Sequence, residues 1–183
     1  MSVDPQQQQR LWTFYNQVGG GDSVSAHELQ RCLVNADGTQ FSLETIHLLI
    51  SLNDRNGTGL LEFNEFLSVY SYIDQWKRCF MQADRDRSGY VSHNELQGAL
   101  RQFGFNVNPQ FVTNALRKIE VQNGNAKHLD ISRGATLDSF IRICVTVKKL
   151  TEAFRFFDGQ DGNPDGTATM TYDQFLDISL KTR

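Results

Sequence analysis

One twelve-residue run limits this chain more than any other property: Asp84-Arg85-Asp86-Arg87-Ser88-Gly89-Tyr90-Val91-Ser92-His93-Asn94-Glu95. Side-chain oxygens fall at its first, third and fifth places (Asp84, Asp86, Ser88). Gly89 stands at the sixth, apolar Val91 at the eighth and Glu95 at the twelfth. A turn needing a left-handed backbone suits glycine at the sixth place. Calcium is a hard cation that takes about six to eight oxygens, and a loop of this grammar wraps them around it. The Tyr90 carbonyl completes the set, and Glu95 returns from the next helix with both its oxygens. Ser92 and Glu95 also spell a helix capping box, so the last ligand sits on a rigid first turn.

A second run repeats the grammar: Asp54, Asn56, Thr58, the Leu60 carbonyl and Glu65 are its expected ligands, with Glu62 at the ninth place binding directly or through water. Both runs carry a hydroxyl at the fifth place, a weaker donor than the Asp or Asn of the strict pattern. Apolar helical stretches flank the second run, with Ile46, Leu49 and Leu52 before it and Phe63, Phe66, Leu67 and Tyr70 after. Chance acidic turns do not come twice in that setting.

Three degenerate copies complete an internal repeat. The first has an eleven-residue loop from Val18 to Glu28. It lacks an early Asp, so its weaker candidate ligands are the Val18 and Ser23 carbonyls and Glu28. The fourth copy has plausible helices but a loop stretched by Asn123 to Arg133, and Ser139 stands where the closing acid belongs. The fifth has an overlong loop from Asp158 to Asp173 that contains Pro164, with Asp158, Asp161 and Asp165 as an irregular acidic group.

The gaps between loops are unequal: 25 residues from Glu28 to Asp54, 18 from Glu65 to Asp84, 24 from Glu95 to Glu120, and 18 from Ser139 to Asp158. The longer gaps hold linkers, Asn35 to Gln40 and Gly104 to Pro109. The 18-residue gaps hold neither Gly nor Pro and fit one continuous helix of ~27 Å. The expected fold is therefore all-α: five helix-loop-helix hands, with hands two and three sharing one long helix and hands four and five another. Hands one and two pair, as do three and four. Their eighth-place residues, Val24 with Leu61 and Val91 with Ala135, meet in short strand pairs. Hand five is left over.

Met1 to Gln9 reads as a short Gln-rich flexible tail without the apolar core of a secretory leader, and residues 10–183 as the folded domain. No apolar run approaches the ~20 residues of a membrane span. The net charge of −3 argues against a nucleic-acid partner. Three scattered cysteines, Cys32, Cys79 and Cys144, suit buried free thiols in a reducing cytosol. The four histidines form no triad with Ser or Cys, so an enzyme is not expected.

Four segments carry a family likeness: Glu28-Leu29-Gln30-Arg31-Cys32-Leu33, Phe41-Ser42-Leu43-Glu44-Thr45, Asp84 to Gly89 with Glu95, and Val147-Lys148-Lys149-Leu150-Thr151. From about Arg10 to its end the chain resembles the penta-EF-hand family. The resemblance implies a cytoplasmic, calcium-responsive adaptor that exposes apolar surface, engages protein targets or membranes, and dimerises through hand five, with itself or with a related chain. A buffer without targets and a regulatory subunit of a larger enzyme are the alternatives. The chain departs from the family in its Gln6–Gln9 tail, which replaces a Gly/Pro-rich extension, in the missing early Asp of loop one, and in the fourth-loop insertion.

Overall fold

The computed structural model describes residues 5–122, 131–158 and 165–181. Its helices are α1 (Pro5–Gly19), α2 (Ala26–Cys32), α3 (Leu43–Ser51), α4 (Phe63–Ala83), α5 (His93–Gln102), α6 (Pro109–Gln122), α7 (Leu137–Asp158) and α8 (Tyr172–Lys181), with a 3₁₀ turn at Ile131–Arg133. Both shared helices are present. α4 runs unbroken for 21 residues between the second and third loops, and α7 for 22 between the fourth and fifth.

The same local device starts three of the exit helices. Ser25, Glu62 and Ser92 are N-caps, and Glu28, Glu65 and Glu95 reach back as the reciprocal half of the box. The two expected pairings are each one antiparallel bridge of two hydrogen bonds. Val24 and Leu61 exchange N–H···O bonds of 2.9 Å in both directions, and Val91 and Ala135 bonds of 2.9 and 2.7 Å. All four residues are fully buried. Gly134 makes the second bridge possible: its φ is +99°, and a Cβ there would collide with the Val91 backbone.

One expectation needs correction. Gln6 to Gln9 belong to the first turns of α1 and are no flexible tail. Proline is well placed at the first position of a helix, where its missing N–H costs nothing. Glutamine is a fair helix former, and Leu11 and Tyr15 then anchor the helix in the core.

Two apolar clusters form the interior. One gathers Leu11, Tyr15, Val24, Leu29, Phe41, Ile46, Leu49, Leu61 and Phe66 from hands one and two. The other gathers Phe80, Val91, Leu96, Leu100, Val112, Leu116 and Ala135 from hands three and four. α7 serves both: Ile141 and Val145 face the first, while Phe140, Cys144 and Val147 face the second, as helical spacing of three and four demands. Trp76, midway along α4, packs against both clusters. Its ring meets Phe103 and Phe140 edge-on, with centroids 5.8 and 6.0 Å apart. The three cysteines are free thiols, and burial pushes that of Cys144 far up. No helix among the described residues is long and apolar enough to cross a membrane.

Candidate metal centre

The third loop gathers its oxygens at the end of α4. Asp84 is the residue on which the helix stops, and it is buried. Its Oδ1 accepts from Ser88 N (3.0 Å) and its Oδ2 from Gly89 N (3.0 Å), which curls the chain around the carboxylate. Arg87 and Gly89 make the turn with φ of 57° and 84°. Asp86 Oδ1 also accepts from Ser88 N (3.0 Å), and Ser88 Oγ lies 2.9 Å from the Tyr90 carbonyl oxygen. Glu95 closes the ring from α5. Its Oε1 accepts from Arg85 N (3.0 Å), and its Oε2 from Ser92 N (2.9 Å) and Ser92 Oγ (2.7 Å).

Oxygens of Asp84, Asp86 and Glu95 lie within 4.8 Å of one another. That span is about twice a calcium–oxygen distance of roughly 2.4 Å, so one ion fits between them. Every donor is a hard oxygen, as calcium requires. Burial alone raises the Glu95 pKa, but bonds from Ser92 and Arg85 N–H outweigh it and leave the carboxyl below its usual value. Bonds from Ser88 lower that of Asp86. Both carboxylates are charged and ready for a cation at neutral pH.

The second loop copies this geometry. Asp54 Oδ1 accepts from Gly57 N (2.8 Å) and Oδ2 from Gly59 N (2.8 Å). Glu65 Oε1 accepts from Arg55 N (2.9 Å) and Oε2 from Glu62 N (3.0 Å). Asn56 Oδ1 accepts from Thr58 N, and Thr58 Oγ1 lies 3.3 Å from the Leu60 oxygen. Asn56 Nδ2 donates to Glu62 Oε1 (3.0 Å), which brings the ninth-place acid to the ring. An amide at the third place and a carboxylate at the ninth leave this loop with three carboxylates, as many as the third.

The first loop is different. Val18 lies in the last turns of α1 and packs against the first cluster, and Ser23 is half-buried. Glu28 Oε2 is held by Ser25 N (2.8 Å) and Ser25 Oγ (2.7 Å). The buried Tyr15 hydroxyl donates to the Asp22 carbonyl (2.8 Å). One closing carboxylate is in place, and among the described residues no converging set of acids joins it.

In the fourth hand the chemistry is inverted. Fully buried Ser139, in the closing position, donates from Oγ to Glu120 Oε1 (2.9 Å). A direct hydrogen bond joins the two ends of the hand. Most of its inserted loop, residues 123–130, lies outside the described residues, as does Asp161 of the fifth.

The fifth hand holds a residue the sequence reading passed over. Thr171 N donates to Gln174 Oε1 (2.8 Å) and Gln174 N to Thr171 Oγ1 (3.3 Å). This is the box of the other hands, so Gln174, and not Asp173, occupies the place of Glu28, Glu65 and Glu95. The Thr-x-x-Gln spacing was the available signal. A neutral amide there cannot replace a bidentate carboxylate. Asp158 still accepts from Gly166 N (2.9 Å), a remnant of the turn at the loop start.

Comparison with known proteins agrees with this repeat. Residues 20–71 match the family model of an EF-hand domain pair, and residues 75–104 that of an EF-hand domain. The chain is 36% identical to sorcin of Mus musculus over 176 residues, spanning 93% of this chain and 82% of sorcin. It is 34% identical to grancalcin of Homo sapiens over 171 residues, 91% of this chain and 73% of grancalcin. A solved homolog of programmed cell death 6 protein from Leishmania major Friedlin superposes with a TM-score of 0.74 at 26% identity, covering 96% of this chain and 95% of that one. The chain therefore belongs to the penta-EF-hand family and binds calcium.

Proposed function

We propose that this protein is a non-catalytic calcium sensor whose tight sites are hands two and three. Asp84, Asp86, Ser88, the Tyr90 carbonyl and Glu95 hold one ion. Asp54, Asn56, Thr58, the Leu60 carbonyl and Glu65 hold the other. Hand one binds weakly or not at all. Ion binding changes the packing of α4, exposes apolar surface and lets the protein engage target proteins.

The observation that carries this reading is where Trp76 stands. It is midway along the one helix that joins the two complete loops, wedged between both apolar clusters. Its ring meets those of Phe103, which is 36% exposed, and Tyr72, which is half-buried. A sensor hand opens on binding, whereas a buffer barely moves. In a Trp12→Phe background, the Trp76 emission should shift on adding calcium, and binding of an apolar dye should rise. Magnesium at equal concentration should do neither, because it demands a tighter octahedron and dehydrates reluctantly. An unchanged spectrum with unchanged dye binding would make the protein a buffer.

Hand five exposes apolar side chains: Phe156, Tyr172 and Phe175 are 66%, 74% and 55% exposed, and Phe154 and Leu176 are exposed as well. A two-fold copy covers such a face and closes on itself, and a related chain would do the same. Three free thiols support a cytoplasmic setting, with membrane association following from the apolar surface exposed in calcium.

A further inference from the structure

The linker between the first two hands folds as a hairpin. Val34 and Gln40 bridge, Asn35 N donates to the Thr39 oxygen (2.8 Å), and Gly38 N to the Asn35 oxygen (3.0 Å) at a φ of 82°. Thr39 holds one carboxylate oxygen of Asp37 twice, through N (3.0 Å) and Oγ1 (2.6 Å). The other oxygen, Oδ2, is thereby presented outward.

This hairpin is anchored on the opposite half of the molecule. Asp138 N, at the start of α7, donates to Asn35 Oδ1 (3.0 Å), and both residues are buried. Ser42 Oγ donates to Asp138 Oδ1 (3.2 Å). From this fixed base the hairpin reaches the third loop. The Tyr90 hydroxyl donates to Asp37 Oδ2 (3.2 Å), across 53 residues of sequence. Ala36 lies against the turn at Gly89, its Cβ 3.3 Å from where a glycine Cβ would stand. Tyr90 is thus held from outside by its ring, while its carbonyl is the backbone member of the oxygen set.

We propose that Asp37 is a positioning residue for the hand-three calcium site, setting the Tyr90 carbonyl from the linker of the first pair. It rests on the reading of hand three as a calcium site. Asp37 touches no ion; it acts by restraining Tyr90, so that less of the loop remains to be ordered on binding. Coupling is reciprocal by thermodynamic necessity. Calcium in hand three therefore steadies the 35–40 hairpin.

The test uses the full chain in a Glu65→Gln background, with calcium titrated by calorimetry. Asp37→Ala and Tyr90→Phe should each weaken the hand-three site by about two- to tenfold, the affinity equivalent of one net hydrogen bond. The double variant should be no weaker than either single one. Hydrogen exchange at the Thr39 amide should slow on adding calcium to the parent, and not in Tyr90→Phe at saturating calcium. Unchanged affinity in both single variants, additive losses in the double, or equal slowing of exchange in Tyr90→Phe would each overturn the proposal. Glu95→Gln is run alongside. If it keeps the tight site, the assignment of calcium to hand three fails, whatever Asp37 does.

Discussion

Glu65 and Glu95 each do two jobs with one carboxylate. One oxygen ties the loop start and the other caps the exit helix. Replacing either with Ala should remove one calcium from the calorimetric stoichiometry and leave the other site. Retention of wild-type stoichiometry by both variants would show the ligands to be misassigned. These residues could be read from sequence because their role is local: the box spacing and the twelve-residue period are both short-range. Gln174 escaped because the fifth loop is overlong, and counting forward from Asp158 loses the register that counting back from the helix start retains. Asp138 was not legible at all, since its partners Asn35 and Ser42 lie about a hundred residues away. Burial raises its pKa above 3.8, against the opposing bonds from Thr45 and Ser42. The folded state then holds this proton more tightly than the unfolded one. Its stabilising contribution is complete below pH 3.8 and lost as pH rises through the folded-state value. Asp138→Asn should flatten that decline in urea unfolding measured across pH, and a parallel decline in both proteins would refute it.

The shared helices are where sequence spacing carried furthest. Eighteen residues without Gly or Pro leave no room for a turn, and α4 and α7 are continuous across both gaps. The Asn35–Gln40 linker was visible as a breaker, and local bonds close its hairpin, but no local pattern encodes its anchoring on the third loop and α7. Four glutamines look like a tail by composition, while Pro5 and the Leu11–Tyr15 stripe make them helix. Continuity of α4 can be tested at exposed Gln75, beside Trp76. Gln75→Gly should cost about 1 kcal/mol and Gln75→Pro about 3 kcal/mol or more. Thermal unfolding followed by circular dichroism would measure both. A proline variant as stable as wild type would mean that α4 is already bent there.

At the scale of the whole molecule, hand five was legible as the odd member of five. The surface it leaves open is the one the count implied. Deleting residues after Lys149 should give a monomer or an insoluble protein, whereas full-length protein should sediment as a dimer at micromolar concentration. A full-length monomer with and without calcium would end the assembly proposal. The hydrogen bond from Ser139 to Glu120 bears on the shape of the response. Hand three is bridged to a neighbour that closes on Ser139 and not on an acid, and an empty hand four would leave its pair no second ion with which to cooperate. Its filling should follow a simple hyperbola with a Hill coefficient near 1, spread over roughly two decades of free calcium. Such a protein grades its output like a dimmer and does not trip at a threshold.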